Sequence, residues 1–207
     1  MTRRARTAVL ISGRGSNMGA LIEAARSPGF SAEIVLVLSD DPGAPGLPLA
    51  RSWGVAAEAI DFRAYTGKPA FEAALQARLA SASVDIVCLA GFMRLLSPSF
   101  VERWRGRILN IHPSLLPNLR GLHTHERALA QGFVEHGCTV HLVTAELDAG
   151  PILAQARVPV LPGDTADALA ARVLREEHRI YPHALDELAR SLPDRDDYER
   201  SGVTVDA

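Results

Sequence analysis

An amide and an imidazole two residues apart, Asn110 and His112, are the side chains in this sequence best placed to do chemistry. An Asn N–H can stabilise a negative oxygen, and a His can move a proton near neutral pH. They follow an apolar run ending at Leu109, which predicts a strand that sends both side chains to one face. Pro113 and Pro117 then stop the strand, because proline cannot donate to a sheet. Ligands of open α/β sheets bind at this carboxyl edge.

The same pair also has a purely structural interpretation, in which Asn110 caps the loop and His112 is a satisfied core residue. A nearby carboxylate would favour chemistry, because an opposite charge raises a histidine pKa by about one to three units. Asp148 is the candidate, although it lies in Leu-Asp-Ala-Gly-Pro, a sequence that is also typical of a turn. Sequence spacing cannot bring residues 112 and 148 together, so both interpretations stay open.

A second candidate site is the glycine-rich turn that follows a predicted first strand over residues 7–12. Gly15, Ser16 and Asn17 lead into a predicted helix, and the free amides at a helix N-terminus bind anions. The dinucleotide fingerprint would need a glycine where Met18 stands, and the Walker pattern is absent. The turn therefore either cradles a phosphate or is a tight structural turn.

The composition indicates one globular domain over residues 1–207, with 1–6 and about 193–207 as loose tails. The chain is 47% hydrophobic and 22% charged, and its net charge of -2 argues against nucleic acid or an anionic membrane as a partner. No apolar stretch approaches the ~20 residues that span a bilayer, and the run 8–11 is too short for a signal peptide. With only two cysteines, we expect no disulfide framework and a cytoplasmic location.

Apolar strands alternate with helical segments along most of the chain, which predicts an α/β fold with a Rossmann-like, doubly wound, mostly parallel sheet. After His112 the pattern changes to a strand over 136–144, a turn, and a returning strand over 152–160. These two strands are expected to be antiparallel. Asp164 and Thr165 are expected to cap a long final helix that runs to about residue 188.

Four histidines raise the question of a metal site. His123 and His125 lie two residues apart at a predicted helix start, where they do not share a face. No Asp or Glu stands at a helical spacing that would complete a zinc triad. We therefore expect no metal.

Several segments together resemble the phosphoribosylglycinamide formyltransferase family. They are residues 11–17, 89–94, 110–117, 121–125, 136–137, 146–152 and 177–182. They match in order over roughly residues 7 to 190, and Gly-Leu-His-Thr-His is the motif that singles out this family among formyl-folate enzymes. The resemblance implies a formyltransferase fold. It also implies formyl transfer from 10-formyltetrahydrofolate to the primary amine of glycinamide ribonucleotide, the third step of de novo purine biosynthesis.

The resemblance also assigns site residues. It implies that Asn110 and a protonated His112 stabilise the oxygen of a tetrahedral intermediate, with Asp148 keeping His112 charged and relaying a proton. The phosphate contacts would be Gly15, Ser16, Asn17, Met18 and Gly19, with Glu177 on the ribose. The folate contacts would be Lys68, Met93, Arg94, Leu95, Leu96, Asn110 and His141. Two departures stand out: Lys68 replaces a frequent arginine, and Asn118-Leu119-Arg120 replaces a basic-aromatic-proline run.

Other activities remain alternatives at this point. A formyltetrahydrofolate hydrolase would use water as nucleophile, but such enzymes carry an extra N-terminal domain. A methionyl-tRNA formyltransferase would need a basic RNA-contacting domain, which this slightly acidic chain lacks. A nucleotide-binding module that lost its chemistry is the non-enzymatic alternative. The sequence leaves open whether the protein is a monomer or a homodimer.

Overall fold

Seven strands and six α-helices lie along residues 3–193, the part of the chain that the computed structural model describes, and they alternate except where the last two strands follow each other. The strands are β1 (Ala5–Ile11), β2 (Ala32–Ser39), β3 (Ala56–Ala59), β4 (Ile86–Leu89), β5 (Ile108–His112), β6 (Glu135–Leu142) and β7 (Ile152–Pro159). The helices are α1 (Ser16–Ala25), α2 (Gly46–Ser52), α3 (Lys68–Ser81), α4 (Pro98–Arg103), α5 (Thr124–Ala130) and α6 (Ala166–Ser191). A short 3-10 helix, Phe62–Ala64, links β3 to α3 and was not predicted.

All seven strands form one sheet in the order β3-β2-β1-β4-β5-β6-β7. Pairing is parallel from β3 to β5, whereas β6 is antiparallel to both β5 and β7. The predicted α/β class, with a mostly parallel sheet and antiparallel C-terminal strands, is therefore confirmed. The chain winds outward in both directions from β1 and β4, so their carboxyl ends and that of β5 meet at one edge, where such folds bind ligands.

The core lies on both faces of this sheet, because successive residues of the buried strands point to opposite sides. Val9 and Ile11 of β1 join the apolar cluster beneath α1 and α6, whereas Ala8 and Leu10 join the cluster beneath α3 and α4. Tyr181 of α6 is fully buried, and its hydroxyl lies 2.9 Å from the carbonyl oxygen of Leu89. Helix α6 is thereby tied to the strands that carry the site.

Several boundaries differ from the prediction. Strand β1 begins at Ala5, whose N–H donates to the Ser31 carbonyl at 2.8 Å. Residues 5 and 6 were expected to be part of a loose tail, but they belong to this strand. Thr165 caps α6 as predicted, by accepting from the Ala168 N–H, but the helix continues to Ser191. The tail expectations for residues 1–2 and 194–207 lie outside the described residues. Within residues 3–193, no helix is long and apolar enough to cross a membrane.

Candidate active site

His112, the last residue of β5, is buried between two hydrogen-bond acceptors. Its Nε2 lies 3.0 Å from the Leu119 carbonyl oxygen, and its Nδ1 lies 3.5 Å from Oδ2 of Asp148. Both the His112 and Asp148 side chains are only 7% exposed. The fold thus brings together residues that sequence spacing could not connect.

Asp148 is held in the turn before β7 by contacts from three directions. Its Oδ2 accepts the Gly121 N–H at 2.9 Å, and its Oδ1 lies 3.7 Å from Nε2 of His141. Burial alone would raise the pKa of Asp148. The contacts with His141, Gly121 and His112 outweigh that effect, so the pKa lies below its ordinary value. Asp148 is therefore a carboxylate at neutral pH.

The pKa of His112 moves in the opposite direction to the one expected. Burial lowers it, and this effect exceeds the raising effects of the Leu119 carbonyl and the Asp148 carboxylate. Nearby His141 and Arg127 lower it further. The expectation that Asp148 holds His112 above its ordinary pKa is therefore wrong. Burial destabilises the imidazolium more than the carboxylate at 3.5 Å stabilises it.

His141 orients the amide of Asn110, its partner across the β5–β6 ladder. His141 Nδ1 lies 2.9 Å from the Leu142 carbonyl oxygen, which accepts from it. Nε2 lies 3.1 Å from the amide nitrogen of Asn110. Asn110 keeps a second N–H for a ligand. His141, which the family resemblance assigned to folate, thus contacts two of the three proposed catalytic side chains.

The glycine-rich turn positions a second group of predicted residues. Gly15 has φ +74°, a left-handed conformation that glycine adopts without strain, and α1 begins at the next residue. Asn17 donates its side-chain N–H to Glu177 at 2.7 Å, and its own Oδ1 is buried without a hydrogen-bond partner. Burial raises the pKa of Glu177, and the Asn17 hydrogen bond counters this only in part. The described chain thus presents a buried acceptor next to a helix N-terminus.

Two members of the predicted phosphate group face inward. The Gly19 N–H donates to the Gly15 carbonyl at 2.9 Å, and a Cβ at Gly19 would lie 2.7 Å from the Trp53 ring. Gly19 therefore serves helix packing, and its amide is not free for an anion. Met18 is fully buried, so its side chain is not open to a ligand.

Five of the predicted folate residues line one cavity of about 260 Å³ beside the sheet edge. They are Lys68, Met93, Arg94, Leu95 and Leu96, together with Phe62, Phe71 and Glu72, which were not predicted. Met93 and Leu95 are 64% and 65% exposed, which is unusual for large apolar side chains and typical of a ligand surface. Asn110 and His141 are not part of this lining.

Arg94 is held in place before any ligand arrives. Its Nε donates to Oδ2 of the buried Asp40 at 2.6 Å, and its guanidinium lies 4.1 Å from the centre of the Phe62 ring. The charge of Arg94 is therefore partly neutralised. Lys68, the other cation that lines this cavity, forms no ion pair with any residue between 3 and 193.

The histidines predicted not to bind a metal include a hydrogen-bonded pair. His125 Nδ1 lies 3.1 Å from His136 Nε2, with the two rings edge to face. Across residues 3–193, no group of three or more His, Cys, Asp or Glu side chains could hold a metal ion.

The similarity to known proteins agrees with this geometry. Residues 5–185 match the formyl transferase family model. The chain is 48% identical over 174 residues to phosphoribosylglycinamide formyltransferase of Escherichia coli (strain K12), covering 84% of this chain and 82% of that protein. The chain belongs to the phosphoribosylglycinamide formyltransferase family. The predicted family is confirmed, and the known reaction of this family is transfer of a formyl group from 10-formyltetrahydrofolate.

Solved members of the phosphoribosylglycinamide formyltransferase family share the fold. The enzyme from Brucella melitensis is 56% identical, with a TM-score of 0.88 over 92% of this chain and 98% of that one. The trifunctional purine biosynthetic protein adenosine-3 of Drosophila melanogaster is 49% identical over 185 residues. That match includes 88% of this chain but only 14% of the length of the fly protein.

Proposed function

We propose that this chain transfers the formyl group of 10-formyltetrahydrofolate to the primary amine of glycinamide ribonucleotide, the third step of de novo purine biosynthesis. The observation that carries the proposal is the contact between His112 Nδ1 and Asp148 Oδ2 at 3.5 Å, with the Asn110 amide beside it. These groups lie at the carboxyl edge of the sheet, where the glycine-rich turn and the apolar cavity also begin.

The acceptor substrate would bind through the glycine-rich turn. Amides of the first turn of α1, at Ser16, Asn17 and Met18, have no partner within the helix and can donate to a phosphate. Gly15 allows the close approach of the backbone. The carboxylate of Glu177 can accept from a ribose hydroxyl, while the unpartnered Oδ1 of Asn17 can accept from a hydroxyl or amide N–H.

The folate would bind in the cavity lined by Met93, Leu95 and Leu96. Apolar side chains and the Phe62 ring suit a flat aromatic ligand. Lys68 can attract a ligand carboxylate as a point charge, without the two-pronged hydrogen bonding of an arginine. This supports a folate rather than a neutral aromatic molecule.

Formyl transfer would begin with attack of the substrate amine on the formyl carbon, which leaves a negative charge on the formyl oxygen. Asn110 donates an N–H to that oxygen. Loss of such a donor typically raises the activation barrier by ~2.7–4 kcal/mol. His112 is mostly neutral before the reaction, because its pKa is lowered. The developing negative charge favours protonation of the imidazole as the reaction proceeds.

The proton released by the attacking amine needs a base. Asp148 is ionised and lies beside His112, so it can relay this proton through a water molecule to the His112 imidazole, and the same proton is then returned to the leaving folate nitrogen. The amine loses one proton and the folate nitrogen gains it, so the reaction neither consumes nor releases a proton overall. The partners we propose are small molecules alone, in the cytoplasm.

One assay separates this function from its alternatives. Purified protein is mixed with 10-formyltetrahydrofolate, with and without glycinamide ribonucleotide, and both formylated product and free formate are quantified. Product that appears only with the ribonucleotide supports the proposal. Formate released without it would identify a hydrolase, and the absence of both reactions would identify a binding module.

A further inference from the structure

Arg127 of α5 contacts the loop between the two proposed catalytic residues, although no sequence motif pointed to it. Its Nη1 lies 2.7 Å from the Arg120 carbonyl oxygen and 3.2 Å from the Leu122 carbonyl oxygen. The side chain is half-buried, and no carboxylate between residues 3 and 193 forms an ion pair with it. The charge of Arg127 is therefore directed at backbone carbonyls.

The peptide group between Arg120 and Gly121 connects this cation to Asp148. Its carbonyl accepts from Arg127, and its N–H, on Gly121, donates to Asp148 Oδ2 at 2.9 Å. In a trans peptide these two groups point in opposite directions, so the planar unit bridges a guanidinium and a carboxylate. Hydrogen bonds to charged groups are stronger than neutral ones, and bonds in series polarise one another.

We propose that Arg127 is a positioning residue for Asp148 and acts through the Arg120–Gly121 peptide group. This inference rests on the proposed catalytic role of Asp148. The second contact, to the Leu122 carbonyl, fixes the loop on the far side of Gly121, whose φ of +78° is easy for glycine alone.

The same loop also reaches His112, because the Leu119 carbonyl accepts from its imidazole. The 119–122 segment thus carries one hydrogen bond to each member of the proposed acid–base pair. Arg120 itself forms an ion pair with Glu146 across the loop, but these side chains are 41% and 72% exposed. Such exposed pairs contribute little to stability, so Arg127 is the stronger anchor.

Arg127 also acts on His112 through its charge. The titratable or charged groups that face His112 from the surrounding elements are Asp148, His141, Arg127, His125 and His136. Of these, Asp148 favours the imidazolium, and Arg127 opposes it. Loss of this charge by itself therefore raises the pKa of His112, whereas loss of a merely structural side chain would leave it unchanged.

The test compares Arg127→Met, which removes both hydrogen bonds and charge, with Arg127→Lys, which keeps the charge. The matched control is Arg105→Met, at an arginine that is 77% exposed. For each variant we would measure kcat, KM for both substrates, the folded fraction in urea, and the pH titration of His112 by NMR.

We expect Arg127→Met to lower kcat by about 10- to 100-fold, with each KM changed less than about threefold, because Asp148 loses its alignment. Both the cation that opposes the imidazolium and the alignment of the carboxylate that favours it are lost in Arg127→Met, so the pKa of His112 should shift from the wild-type value there and stay near it in Arg127→Lys and Arg105→Met. Activity lost only in proportion to unfolded protein, with His112 titrating as in the wild type, would overturn the positioning role. Wild-type protein that forms no formylated ribonucleotide would refute the proposed function, while the His112 titration would still test Arg127.

Discussion

Asp148 Oδ2 lies 3.5 Å from His112 Nδ1, yet the pKa of His112 is below its ordinary value. Burial removes water from the imidazolium, and the carboxylate limits this loss without reversing it. His112 therefore begins the proposed reaction mostly neutral at pH 7, and Asp148 begins it ionised. The pair is poised to take up the proton that the attacking amine releases, rather than to carry one beforehand.

Replacing Asp148 by Asn should lower both turnover and the pKa of His112. The Leu119 carbonyl and the carboxylate both favour the imidazolium, so removal of the carboxylate leaves burial less opposed. We expect kcat to fall by ~10²–10⁴, the range of general acid–base catalysis. Profiles of kcat against pH and an NMR titration of His112 would measure both effects. The control is Asp167→Asn, at an exposed aspartate. An unchanged kcat and pH profile in Asp148→Asn would show that Asp148 has no part in the reaction.

Replacing His112 by Ala should reduce kcat far more than it weakens substrate binding. In the proposed reaction its imidazole acts only as charge develops on the formyl oxygen, so its loss raises the barrier without removing ground-state contacts. Steady-state kinetics with both substrates would measure this. The control is His183→Ala, at a histidine that is 66% exposed. A raised KM with normal kcat would instead assign His112 to binding.

The strand that carries Asn110 and His112 could be predicted from the sequence, because alternation and proline stops are local signals. The glycine-rich turn before α1 was predictable for the same reason. Asp148 was linked to His112 by family resemblance alone, since the turn before β7 reaches β5 only through the antiparallel ladder with β6. That link depends on tertiary folding.

Other features had no signal in the sequence. Arg127 acts on backbone carbonyls, and any residue type supplies a carbonyl, so no motif marks the contact. The lowered pKa of His112 depends on how much water the folded chain excludes, which spacing does not show. The packing role of Gly19 depends on Trp53, which is distant in sequence but occupies the space beside Gly19 in the fold.

Replacing Glu177 by Leu should raise KM for glycinamide ribonucleotide and leave KM for the folate unchanged. Glu177 anchors the Asn17 amide at 2.7 Å, and without it the Asn17 acceptor loses its orientation. Loss of about one hydrogen bond to a charged group, ~1.5–3 kcal/mol, predicts an increase of roughly ten- to a hundredfold. Glu177→Gln keeps an acceptor oxygen for Asn17 and should have a smaller effect. Equal changes in both KM values would contradict a site specific to the ribonucleotide.

Replacing Tyr181 by Phe should destabilise the protein. The hydroxyl lies 2.9 Å from the Leu89 carbonyl and 3.2 Å from the Leu109 carbonyl in a fully buried setting. Leaving buried carbonyls without this donor costs about 1–3 kcal/mol. Urea denaturation would measure the loss, with Tyr65→Phe as the control at a partly exposed tyrosine. A change below about 0.5 kcal/mol would show that the hydroxyl contributes little to stability.

Acid should destabilise the protein partly through His136, a buried histidine whose pKa is lowered to about 4 by burial and by nearby His125 and His112. In the unfolded chain its pKa is about 6.5. As the pH falls from 6.5 towards 4, the unfolded state binds a proton that the folded state does not, so the free energy of unfolding decreases. Well above pH 6.5 both states are neutral, and this contribution to the pH dependence vanishes.

His136→Gln removes that titration, so its urea midpoint should fall less between pH 7 and pH 5 than the wild-type midpoint does. A residual slope is expected, because burial also lowers the pKa of His112, His125 and His178. The control His183→Gln, at an exposed histidine, should keep the wild-type slope. Identical slopes for His136→Gln and the wild type would mean that His136 takes up its proton equally in both states, and that its ring is not desolvated by the fold.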